Sequence, residues 1–111
     1  MKSSLALPHR HLTALAGLVA DIGDSCWASG STAAALHGFD GFDLRPAFHV
    51  TTTRSRNVRR IGHTIHTTTD MPLIDRATRY DIPVLSATRT LIDIAHDHSR
   101  STYNRTRLGH A

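Results

Sequence analysis

The sequence predicts an α+β domain in which a small, mostly antiparallel sheet carries two or three helices packed on one face. Three observations predict it. Leu12, Leu15, Ala16, Leu18, Val19 and Ile22 recur three and four positions apart, which is the apolar stripe of an amphipathic helix. β-Branched residues gather in two short runs, Phe48 to Thr53 and Ile61 to Thr68, of the kind that forms half-buried strands. A further helical run follows Ser86, with Leu91, Ile92, Ile94 and Ala95 as its apolar residues.

Taken in order, the first helix spans His9 to Ile22, with Pro8 suited to its start and Gly23 to its end. In the stretch D-S-C-W-A-S-G-S-T-A-A-A-L-H-G, Ser29 and Ser31 are candidate N-caps for a short helix, and Gly38 provides the left-handed residue that ends it. A loop through Gly41 and Pro46 leads to the first strand. The arginine-rich run R-S-R-N-V-R-R then turns the chain. The second strand is expected to lie antiparallel to the first because the connection is short. Met71 to Ala77 reads as a turn or short helical piece. R-Y-D-I-P-V reads as a brief strand that Pro83 assigns to a sheet edge or a strand end. Ser86 caps the last helix, in which Leu91 and Ile92 are expected to pack and Arg89 and Asp93 stand four apart.

These elements make one domain over residues 1–97. Residues 98–111, basic and almost without apolar side chains, are expected to form a disordered or interacting tail. A chain of 111 residues supports a single core, and with 5% aromatic residues that core is lean. The formal charge of +4, with nine histidines able to add to it, favours an acidic partner. A lone cysteine, Cys26, excludes an internal disulfide and a thiolate-rich zinc site. With no signal-like segment and no membrane-length apolar run, the expected setting is cytosolic, without membrane association.

Arg54, Arg56, Arg59 and Arg60 form the densest cationic cluster. In a hairpin turn their guanidinium groups would project together and grip phosphates, DNA above all, by sequence-independent contacts. The same cluster is equally explained as a solubilising tip that discourages edge-to-edge association. Arg76, Arg79 and the tail residues Arg100, Arg105 and Arg107 would extend the basic surface. His49, His63 and His66 fall on adjacent strands. Alternation turns His63 and His66 to opposite faces, so no metal site is expected. Asp40, Asp43, Ser29, Ser31 and Cys26 are chemically capable but fall in no catalytic spacing. No phosphate-binding loop, dinucleotide fingerprint or nucleophile elbow is present, so neither catalysis nor a cofactor is expected.

Three stretches in order, S-G-S-T-A-A-A-L-H-G, F-H-V-T-T-T-R-S-R and Y-D-I-P-V-L-S-A-T-R-T-L-I-D-I-A, carry a resemblance. Together they resemble the C-terminal domain of AbiEi-family antitoxins of type IV toxin–antitoxin systems, and the related region that precedes a nuclease-like domain in many actinobacterial proteins. The resemblance covers roughly Trp27 to His96. It implies a regulatory binding domain that counters a nucleotidyltransferase-like toxin. It implies alternatively a DNA-positioning accessory domain of a truncated or split nuclease. Arg89 and Asp93, at i,i+4 spacing, are read as a helical ion pair or, alternatively, as partner-binding residues. The chain departs from the family in having one helix where a winged helix would stand and no nuclease-like segment after Ala95, which puts operator repression and nuclease activity in doubt. Oligomeric state is not readable at this level.

Overall fold

A computed structural model describes residues 7–53 and 59–97. Helix α1 (His9–Ile22) leads into strand β1 (Cys26–Ala28), helix α2 (Gly30–Leu36), and strands β2 (His49–Thr52) and β3 (Thr64–Thr67). A 3₁₀ turn (Leu73–Asp75), strands β4 (Arg76–Arg79) and β5 (Ile82–Leu85), and helix α3 over residues 87–97 complete it. The fold is α+β, and the five strands form one sheet in the order β3-β2-β1-β5-β4.

The sheet is mixed, which corrects the mostly antiparallel expectation. β1 pairs antiparallel with β2 and β4 with β5, but β1 runs parallel to β5 and β2 parallel to β3. The connection from Thr53 to His63 is therefore a crossover and not a hairpin. Its returning end passes on the α1 side, where Arg60 Nε donates to Asp21 Oδ2 at 2.6 Å. The parallel register Val50↔Ile65 turns Ile65 toward the core that Val50 occupies, and Ile65 packs against that core.

β1 carries the architecture. All of its residues are buried, and alternation turns Cys26 and Ala28 to one face and Trp27 to the other. On the first face Leu15, Val19 and Ile22 of α1 and Ala33, Ala35 and Leu36 of α2 pack with Phe48, Val50, Ile82 and Val84. The alanines of α2 allow its backbone to approach closely. On the second face Trp27 packs with Met71 and Leu85 in a smaller cluster. The guanidinium of Arg76 covers the Trp27 ring at 5.2 Å from its centroid, while its Nε donates to Met71 O at 2.8 Å.

Helices consequently occupy both faces, a second correction. Arg89 and Asp93 of α3 share a cleft with Thr51 and His66, whose side chains lie on the Trp27 face. A third correction concerns Leu91 and Ile92, which were expected to pack and are each 59% exposed. The residue that faces the sheet is Thr90, fully buried, with Oγ1 donating to Leu85 O at 3.4 Å. Positions one and two residues on swing about 100° and 200° round the helix, away from the sheet.

Local signals explain the remaining turns. Ser86 caps α3, its Oγ accepting the Arg89 N–H at 3.1 Å. Gly38, with φ at +79°, ends α2 in the left-handed region as expected. Ser29 occupies the N-cap position of α2 but makes no side-chain cap, because its Oγ accepts instead from Thr51 Oγ1 at 2.9 Å. β5 is interior, which corrects the edge or strand-end placement of Pro83. Tyr80 and Asp81, at φ 54° and 63°, form a two-residue turn between β4 and β5. Pro83 then falls opposite Thr78 in a pair that needs no N–H, and the single parallel pair Ala28↔Val84 uses its carbonyl alone.

Phe48, 1% exposed, stacks on His63 with ring centroids 5.3 Å apart, and its N–H donates to His63 Nδ1 at 2.9 Å. Phe48→Ala should cost about 3–5 kcal/mol and His63→Ala roughly 1–2 kcal/mol in urea unfolding. The double variant should lose less than the sum, because the two side chains share one contact.

Candidate partner-binding surface

The residues singled out from sequence separate into three places. Arg54 and Arg56 lie outside the described residues, as does the basic tail at 98–111. Arg59 is exposed, whereas Arg60 is held by Asp21 on α1. This loop lines an open groove of about 540 Å³ beside β3. Arg76 and Arg79 sit on the opposite edge strand and lie over aromatic rings, Arg76 on Trp27 and Arg79 on Tyr80 at 5.7 Å.

The second place is a polar cleft of about 280 Å³ on the Trp27 face, bounded by Ser29, Thr51, His66, Arg89, Asp93 and Asp97. Register brings His49 and His66 to this face, with ring centroids 5.9 Å apart and nearly parallel planes. His63 stands apart on Phe48. Among the described residues, no three His, Cys, Asp or Glu side chains are grouped to hold a metal ion. The hydroxyls and backbone groups here pair with one another. Ser29 N donates to His49 O at 3.0 Å, His49 N donates to Thr32 Oγ1 at 2.8 Å, and Ser29 Oγ is taken by Thr51. Gly30, at φ +55° against the His49 ring, makes the tight entry to α2 that permits this arrangement.

Burial lowers the pKa of His49, the neighbouring His66 lowers it further, and Asp97 partly opposes both. Burial pushes the Cys26 thiol up to about 11, which keeps it protonated and removes it as a nucleophile. Asp40, Asp43 and Ser31 are exposed and lie outside these places, Ser31 and Asp43 lining a separate open pocket of about 260 Å³ with Arg45.

The third place surrounds Arg89. Its Nη1 donates to Asp75 at 2.9 Å and its Nε donates to Asp93 at 3.1 Å, so one guanidinium joins α3 to the 3₁₀ turn. Burial opposes its charge, but the Asp93 and Asp75 carboxylates outweigh burial and raise its pKa. Arg89 and Asp93 thus hold each other and Asp75, and they shape a surface more than they extend from it. Beside this clamp stand large apolar side chains with no cover among the described residues. Leu73 and Ile74 of the 3₁₀ turn are 78% and 84% exposed, and Leu91 and Ile92 of α3 are each 59% exposed.

Sequence reasoning missed Leu73 and Ile74 because an isolated apolar pair after a proline has no periodicity. It misassigned Leu91 and Ile92 because their spacing suits a core stripe as well as an exposed one. The available signal was Ser86 and Thr90, four apart, which mark the sheet-facing side of α3. Among the described residues no helix is long and apolar enough to cross a membrane. Family models, curated proteins and solved structures were compared with the chain, and none matches it.

His49 provides a pH test. Its folded pKa lies below its unfolded value, so the unfolded chain binds the proton first as pH falls. The stabilising contribution is therefore complete above the unfolded pKa of about 6.5 and is lost as pH falls below it toward the folded value. The urea midpoint should drop on acidification through that window, and His49→Gln should flatten the slope there.

Proposed function

We propose that this domain is an antitoxin-like, non-enzymatic binding module whose partner is a protein, docked on the two elements that Arg89 joins, where Leu73 and Ile74 of the 3₁₀ turn and Leu91 and Ile92 of α3 are exposed. The observation that carries the reading is the exposure of these four side chains on two elements that Arg89 fastens together. Such a surface is costly to leave in water, at roughly 25 cal/mol per Å² of apolar area. A protein with a matching apolar face would recover that free energy on association. The Arg89 clamp contributes by fixing the two elements before binding, which reduces the entropy lost in the complex.

The chemical inventory supports a binding role. Cys26 is protonated and buried, Ser29 Oγ is committed to Thr51, and the carboxylates nearest the surface are paired with Arg89. The resemblance to AbiEi-family antitoxins supplies the class of partner, a nucleotidyltransferase-like toxin met in the cytoplasm. The DNA-positioning reading depends on the arginine loop. Of its described arginines, Arg60 is already neutralised by Asp21, and Arg59 is left as the exposed cation. The apolar surface therefore supports a protein partner more strongly than the loop supports DNA.

Co-expression with a nucleotidyltransferase-like toxin encoded beside the chain's own gene tests this reading through growth rescue and co-purification of the pair. Ile74→Asp and Ile92→Asp should each abolish rescue while shifting stability by no more than about 0.5 kcal/mol, as exposed substitutions do. Rescue that survives both substitutions contradicts the docking surface. Rescue lost only when Arg59 and Arg60 are replaced by alanine moves the function to the basic loop.

A further inference from the structure

We propose that the free edge of β3 is a strand-addition site that takes an extended acidic segment of another protein. This surface lies on a different edge of the molecule from the Leu73–Ile92 surface, and the inference stands whether or not that surface binds a toxin.

Thr64 N donates to Phe48 O at 2.9 Å and Thr68 N to Thr52 O at 3.0 Å, so even-numbered residues of β3 direct their backbone groups to β2. Alternation then turns the N–H and C=O of Ile65 and Thr67 outward, where they have no partner among the described residues. The two edges of the sheet differ in protection. β4 carries Arg76 and Arg79, the charged side chains that discourage pairing at an edge. β3 reads Thr-Ile-His-Thr and carries no Lys, Arg, Asp or Glu.

Beside β3 runs the groove of about 540 Å³, floored by Ile65 and Thr67 and walled by Arg59, Arg60 and Ile61. Ile61 is fully exposed there, with nothing packed on its side chain. An added strand would pair with the outward groups of Ile65 and Thr67, and its alternate side chains would meet Ile61 and Ile65. An acidic side chain entering the same groove at its residue-59 end would meet the guanidinium of Arg59. Backbone pairing supplies affinity, and the acidic side chains supply selectivity.

Charge chooses the occupant. A second copy would be a like-charged partner, and the edge it could offer through β4 carries Arg76 and Arg79, cations like the exposed Arg59. The formal charge of +4 opposes such pairing. An acidic strand from another protein meets no such repulsion.

The test uses the full chain and a short, end-capped peptide of alternating glutamate and valine, with an alternating lysine and valine peptide as control. Nitrogen–proton correlation spectra and amide exchange are followed at residues 61–68. The acidic peptide should shift and slow the Ile65 and Thr67 amides while leaving Thr64 and Thr68 unchanged, and the lysine peptide should not bind. Thr67→Pro removes one outward donor without touching the β2 ladder and should abolish binding. Arg59→Glu, at an exposed position that folding does not depend on, should weaken binding roughly tenfold. Equal binding of both peptides, or Arg59→Glu binding as well as the parent chain, overturns the proposal. Protection of Ile65 and Thr67 that grows with protein concentration without peptide also overturns it, by showing that a second copy fills the edge. If Thr67→Pro fails to fold, the peptide pair and Arg59→Glu still decide.

Discussion

The structure depends on a strand of three residues. β1 lies at the centre of the sheet, and the alternation of Cys26, Trp27 and Ala28 gives each face of the molecule its core. The small side chains of Cys26 and Ala28 let α1 and the alanine-rich α2 close on one face. Trp27 fills the other, where the further apolar core residues among those described are Met71 and Leu85. A single bulky residue among small ones thus divides the apolar content very unequally.

That inequality explains the chemistry of the second face. With so little apolar material there, the cover is made by guanidinium groups, Arg76 over Trp27 and Arg89 between Asp75 and Asp93. α3 is seated by Thr90, a cap at Ser86 and the Arg89 clamp, with Ile94 half-buried one turn beyond Thr90. Leu91 and Ile92 are left facing outward. The α3 part of the surface proposed to bind a protein is a consequence of how that helix is held. The polar cleft follows from the same seating, because β2 and β3 turn His49, Thr51 and His66 to the face that α3 only partly covers.

Much of the local structure was legible in the sequence. The 3.6-residue stripe marked α1 over the bounds observed, Gly38 marked the end of α2, Ser86 marked the start of α3, and the threonine-rich runs marked β2 and β3. β1 was not legible, because three fully buried residues cannot show an alternation of apolar and polar. Strand direction was misread because the arginine run resembles a turn, whereas Arg60 is held by Asp21, far away in sequence. That pairing is invisible until α1 and the crossover are placed together. Pro83 was misread for a related reason, since whether a strand can hold proline depends on which neighbour needs the N–H. At the candidate surface, Arg89 and Asp93 were found at helical spacing, but Asp75, which turns the pair into a clamp, comes from a distant element.

The measurement that bears most directly on this account is equilibrium unfolding in urea followed by two signals at once. The one tryptophan, Trp27, reports the smaller core by fluorescence, and far-ultraviolet circular dichroism reports the helices, most of which pack on the larger one. If β1 joins both cores into one cooperative unit, the two signals should trace a single coincident transition. A fluorescence transition at lower urea than the loss of helix would contradict it, because the Trp27 face would then be melting while β1 and the larger core stayed folded.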